Sequence, residues 1–136
     1  VLPWTDVTWF EAAAACEAAG ARLCTEAEWQ LACGGGQGLA FPYGNDFDPA
    51  ICNGAESPWA ELLPTGTALQ CRRGGASDMS GNVKEWIAGG SAELKPTRGG
   101  SYESELEAGL RCDQAADLKV PEFHHSAIGF RCCLDR

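Results

Sequence analysis

The run DMSGNVKEW, residues 78–86, concentrates oxygen donors in a way that suits a hard cation. Asp78 and Glu85 offer carboxylates, and Gly81 and Val83 offer backbone carbonyls. Gly81 also lets the chain turn so that a carbonyl faces inward. Calcium takes roughly six to eight oxygens at about 2.3–2.6 Å and accepts carbonyls readily. In an extended strand the two carboxylates would stand more than about 20 Å apart at ~3.3 Å per residue, so they meet only if the chain loops back. Two like charges that meet repel unless a cation lies between them. The expected ion is a structural calcium that pins the loop and fixes the strand carrying Trp86, because no nucleophile or base stands in this stretch. The spacing is not that of an EF-hand. The same residues also make a polar turn in which Asn82 hydrogen-bonds its own backbone, and the two readings differ only in whether an ion is held.

A second group of side chains lies further on. Glu103, Glu105 and Glu107, with Asp113, Asp117 and Glu122, read either as an acidic recognition surface or as a solvated loop. His124 and His125 are ligand or pH-sensor types, and equally ordinary surface residues. Trp59, in the loop ESPWAE, is of the type that stacks on sugars or anchors a partner when exposed. The eight cysteines include no CxxC pair, which removes zinc-ribbon and thioredoxin-type readings. An even count without metal spacing implies four disulfides and an oxidising compartment, extracellular or periplasmic.

The elements that must position these groups are short. Residues 8–20 begin with the capping box Thr8–Glu11, continue in alanine and reach Gly20, and so predict a helix. Residues 25–34 repeat the design with Thr25, Glu28 and Gly34. Beyond lies Gly-, Pro- and Asp-rich coil, with short strands expected near 83–88, 97–102 and 127–134. The 136 residues suit one domain. Met79 is the single methionine, so Val1 is not read as an initiator. A net charge of −9 and a pI near 4.6 exclude a nucleic-acid partner and suit cations or basic partners. No stretch approaches the roughly 20 apolar residues of a membrane helix, so no membrane insertion by this chain is expected.

The segments VTWFEAAAACEAAGARLCTEAEWQLACGGG, FPYGN, DMSGNVKEW, RGGSY and IGFRCC occur in this order. Together they resemble the formylglycine-generating-enzyme-like, or sulfatase-modifying-factor, domain family from about Val7 to Arg131. The resemblance implies an α+β fold of the C-type-lectin-like class in its formylglycine-generating-enzyme variant. That means two short helices, small twisted antiparallel sheets and much ordered coil, stapled by disulfides. It also implies a single domain over 1–136 that lacks the family's usual N-terminal segment. Catalytic members hold copper between two cysteines that follow the GGSY-type motif. Here the stretch Glu103–Gly109 has no cysteine, so no copper and no oxidase chemistry are expected.

For the cysteines, the resemblance implies Cys16–Cys132 and Cys33–Cys112. Cys132 and Cys133 are neighbours in an expected strand and point to opposite faces. The remaining pairs are then Cys24–Cys133 and Cys52–Cys71, with one free redox-active pair as the alternative. The family's calcium site maps onto Asp78, Gly81, Val83 and Glu85, with Lys84 where a Trp is usual. A weaker second calcium site maps onto Asn53 and Gly54, with Glu56 and Glu61 as poor substitutes for its other half. The function expected is a non-catalytic binding or assembly module, with a protein partner or larger surface or membrane-associated complex. The alternatives are a metal-dependent peptide-modifying enzyme built from Glu103, Ser104, Glu105 and the His pair, or a carbohydrate or peptide receptor.

Overall fold

The computed structural model describes residues 1–135. Helix α1 (Trp9–Ala18) leads through β1 (Arg22–Leu23) into α2 (Glu26–Gly34). After a long coil come the hairpin β2 (Arg72–Arg73) and β3 (Ala76–Ser77), then β4 (Lys84–Trp86) and β5 (Lys95–Arg98). A 3-10 turn over Glu107–Leu110 precedes β6 (Asp117–Lys119), β7 (Ile128–Phe130) and β8 (Cys132–Cys133).

Both helices start at the capping boxes read from the sequence. Thr8 and Thr25 each accept from the backbone N–H three residues on, and Glu11 and Glu28 reach back to the caps. The α2 stop differs by one residue from the expectation. Gly34 is the last helical residue and Gly35 takes the positive φ of 72°. Gly34 is needed for another reason: a Cβ there would stand 3.0 Å from the Leu39 nitrogen and closer still to its carbonyl oxygen, too near for a side chain.

The main sheet has the order β6-β5-β4-β7, with β4 and β7 parallel and the other pairs antiparallel. It is therefore mixed, while the two-stranded sheets β1-β8 and β2-β3 are antiparallel, so the small sheets expected are present with one parallel pair added. The strand expected over 97–102 is also displaced. Strand β5 ends at Arg98, where Gly99 and Gly100 adopt φ of 102° and 68° and turn the chain out of the sheet.

One core packs α1 on the sheet through Val7, Ala12, Cys16, Leu23, Trp86 and Ile128. A second joins α2 to the loop before β4 through Trp29, Cys33, Met79, Ile87 and Cys112. The bridges are Cys16–Cys132, Cys24–Cys133, Cys33–Cys112 and Cys52–Cys71, the four pairs named from the sequence. No cysteine is free. The adjacent Cys132 and Cys133 reach α1 and the segment before α2 on opposite sides of β8. Cys16–Cys132 spans 116 residues, a closure worth about 4–5 kcal/mol in the chain-entropy account.

Candidate functional site

The loop from Asp78 to Glu85 folds back as the donor pattern requires. Asp78 takes φ 56°, Gly81 φ 81° and Asn82 φ 66°, three left-handed residues within five. Asn82 tolerates that conformation because its side chain is fully engaged. Its Oδ1 accepts from the Leu63 N–H (3.0 Å) and from Asn53 Nδ2 (3.0 Å), and its Nδ2 donates to the Leu63 carbonyl (3.1 Å). The turn is thus held by a remote segment, not by Asn82 bonding its own backbone as the polar-turn reading supposed.

Asp78 and Glu85 line one cavity of about 270 Å³ together with Val83, Ser77 and Arg131. Glu85 is buried. Its Oε1 accepts from Trp29 Nε1 at 2.7 Å, and Arg131 Nε lies 2.9 Å from both of its oxygens. A second Arg131 nitrogen stands 2.8 Å from Oε2 and donates to the Ser77 carbonyl at 2.8 Å. Asp78 Oδ2 accepts from the Gly66 N–H at 2.9 Å. Burial pushes the Asp78 carboxyl upward, against that hydrogen bond and the nearby Arg131 charge. As folded, these side chains do not fit calcium: both oxygens of Glu85 already face a cation, which would repel a second one.

The weaker calcium assignment fits no better. Asn53 is buried with both ends of its amide used, Nδ2 donating to the Glu61 carbonyl and to Asn82 Oδ1, and Oδ1 accepting from Ser57 Oγ. A Cβ on Gly54 would meet Leu110 at 2.8 Å, so its glycine serves close packing. Trp59 is half-buried against the core around Cys52, Ala68 and Cys71 and is no free platform.

The loop after β5 forms a groove of about 350 Å³ lined by Lys84, Ser101, Glu103, Ser104, Lys119, Phe123 and His125. Glu103 Oε1 stands 3.8 Å from His125 Nδ1, which accepts from the Ala127 N–H at 3.0 Å. The His125 ring lies parallel to Phe123, and Lys119 sits over the Phe123 ring at 5.3 Å. Lys84 Nζ pairs with Asp117 at 2.7 Å between this groove and a second hollow of about 310 Å³. Burial would raise the Asp117 carboxyl, but Lys84 and Lys119 hold it below the usual range.

The histidine pair is split: His124 turns away and pairs with Asp6 at 2.8 Å. The acidic residues are divided as well. Asp113 is held low by Arg111, and Glu105 and Glu107 are exposed outside the groove. Among the described residues no three His, Cys, Asp or Glu side chains converge as a metal site. Sequence reasoning placed Glu103, Ser104 and His125 but missed Arg131, Lys119, Phe123 and Ser101 as site residues. Arg131 had a signal in its position beside the bridged Cys132; the others had none.

With α2 tied to the 78–85 loop, four bridges and this sheet order, the fold is the formylglycine-generating-enzyme type. The chain belongs to that family: the Sulfatase-modifying factor enzyme 1-like domain matches residues 1–136. It is 30% identical to mouse (Mus musculus) inactive C-alpha-formylglycine-generating enzyme 2 over 96% of this chain and 48% of that protein. It is also 30% identical to the bovine (Bos taurus) formylglycine-generating enzyme, over 98% of this chain and 44% of that one. The chain thus spans about half the length of these relatives. The structure of PvdO from Pseudomonas aeruginosa superposes with TM-score 0.78 at 20% identity, over 95% of this chain and 60% of that one. Treponema denticola variable protein 1 superposes with TM-score 0.80 at 17% identity, over 95% and 69%. These two likenesses concern the fold.

Proposed function

We propose that the chain is a non-catalytic binding module of the family, working outside the cell or in the periplasm and engaging a protein partner through the groove at Lys84 and His125. One observation carries the non-catalytic part. All eight cysteines are committed to bridges, and the loop Glu103–Gly109 contributes carboxylates and a hydroxyl where copper(I) needs thiolates. The inactive mouse relative supports the same reading. Four disulfides support the oxidising compartment.

The groove offers the ammonium groups of Lys84 and Lys119, both paired with Asp117, together with the Glu103 carboxylate, two hydroxyls and the Phe123 face, a mixed set that suits a polar peptide segment. A sugar is the less favoured ligand, since Trp59 is packed inward. The enzyme reading keeps one point in its favour: Glu103, Ser104 and His125 share the groove.

The test combines copper-supplemented incubation with a cysteine peptide and screening on peptide and glycan arrays. The expected results are no aldehyde above the protein-free control, and peptide binding lost in Lys84→Ala and Lys119→Ala. Turnover of the peptide would overturn the non-catalytic reading, and glycan binding alone would replace the peptide ligand.

A further inference from the structure

We propose that the guanidinium of Arg131 fills the role a calcium ion would otherwise take at the Asp78–Glu85 loop, so that the loop is closed by an internal cation and needs no metal. This goes beyond the binding-module reading and does not depend on it.

The work required of any cation here is to bring the two ends of the loop together and to offset its carboxylates. Arg131 does both. At the C-terminal end its Nε and a second nitrogen face the two oxygens of Glu85 at 2.8–2.9 Å. At the N-terminal end it donates to the carbonyl of Ser77, the residue before Asp78, at 2.8 Å. One planar fork therefore spans both ends, which a monodentate ammonium does not reproduce.

The rest of the site completes the arrangement. Trp29 Nε1 supplies a further donor to Glu85 at 2.7 Å, and the Gly66 N–H supplies one to Asp78 at 2.9 Å. The ionisable groups lining the cavity are Asp78, Glu85 and Arg131. A calcium ion bound to Glu85 would have to displace the Arg131 fork from a partly buried position, leaving the guanidinium without its partner. Arg131 is itself placed by its neighbours: it stands between Phe130 at the end of β7 and Cys132, whose bridge to Cys16 anchors β8 on α1.

Thermal unfolding of the oxidised protein, together with calorimetric titration of the wild type, tests this. Chelator or millimolar calcium chloride added to wild type is expected to leave the midpoint unchanged, and calorimetric titration with calcium chloride to give no binding heat. Arg131→Gln is expected to lower the midpoint by roughly 10 °C in the presence of chelator. Arg131→Lys, which keeps the charge and loses the fork, should recover only part of it. A wild-type midpoint that falls with chelator, measurable calcium binding by wild type, or an Arg131→Gln midpoint equal to wild type would each overturn the proposal. If Arg131→Gln does not fold, the wild-type chelator and calorimetry arms decide it alone.

Discussion

The charged groups of this molecule fall into two populations with different work to do. In the interior, Glu85 is enclosed by Trp29 and Arg131, and Arg98 reaches the Cys112 carbonyl at 2.7 Å and pairs with Glu26 while lying over Trp29. On the rim, Lys84–Asp117, Arg111–Asp113 and His124–Asp6 are ion pairs of half- to well-exposed side chains. Interior charges must be matched to the last donor, because removing one partner strands the other away from water. Rim pairs are screened and contribute little to stability, about 0–1 kcal/mol each. The interior therefore constrains which residues can change, and the rim leaves side chains such as Glu103 and Lys119, each beside one partly exposed partner, His125 or Asp117, available for recognition.

The largest expected effect tests that contrast directly. Glu85→Gln removes the charge facing Arg131 and should cost about 3–5 kcal/mol. Glu103→Gln, on the rim of the groove, should stay within about 0.5 kcal/mol of wild type. Denaturant unfolding of the two variants measures both. A Glu103 variant as damaged as the Glu85 variant would break the comparison, since the groove would then belong to the frame.

The two populations were also unequally legible in the sequence. Thr8–Glu11 and Thr25–Glu28 were readable because a capping box is satisfied within three residues. The fold and the bridges were readable through motifs that carry a family likeness. The pairing of Arg131 with Glu85 was not: the place of Arg131 beside Cys132 marks the residue, but its partner is 46 residues away. The same holds for Asn82 with Leu63, and for the parallel pairing of β4 with β7. Strand β6 was missed because Asp117, Leu118 and Lys119 lack strand composition; it forms against β5 at the sheet edge, where Thr97 Oγ1 donates to the Asp117 carbonyl. On the rim, Glu103 and the His pair could be grouped as one alternative site, but which histidine approaches Glu103 depends on where two separate loops come to rest.

An intermediate effect sharpens the boundary between frame and rim. Gly100 sits at φ 68°, and a Cβ there would strike the Gly109 carbonyl and stand 3.0 Å from both Leu110 Cδ2 and Ser104 Oγ. Gly100→Ala should cost about 1–3 kcal/mol. Gly109→Ala meets only Ser104, at an ordinary 3.7 Å, and its restriction of the unfolded chain should make it neutral or stabilising by up to about 1 kcal/mol. Opposite signs in unfolding would place the edge of the rigid frame between these glycines. Equal losses would extend it through the 3-10 turn.

The smallest effect concerns a rim pair by itself. The hydrogen bond that the His124 ring donates to Asp6 raises the His124 pKa above its ordinary 6.5, with the Asp6 charge and, more weakly, Glu11 acting in the same direction. A histidine whose folded pKa is raised favours the fold when protonated. Its contribution is complete below the unfolded value of 6.5 and is lost as pH rises through the higher folded value. The window is therefore the interval just above pH 6.5, and the loss there should be slight because both side chains are exposed. NMR titration of the His124 ring should give a midpoint above 6.5 in wild type and a return toward 6.5 in Asp6→Asn. Asparagine suits the test because Asp6 takes φ 59°, a conformation asparagine tolerates. Thermal midpoints of the two proteins should converge as pH rises through the window. If Asp6→Asn leaves the His124 titration where it was, this rim pair does not persist in solution, and the division between matched interior charges and free rim charges becomes sharper still.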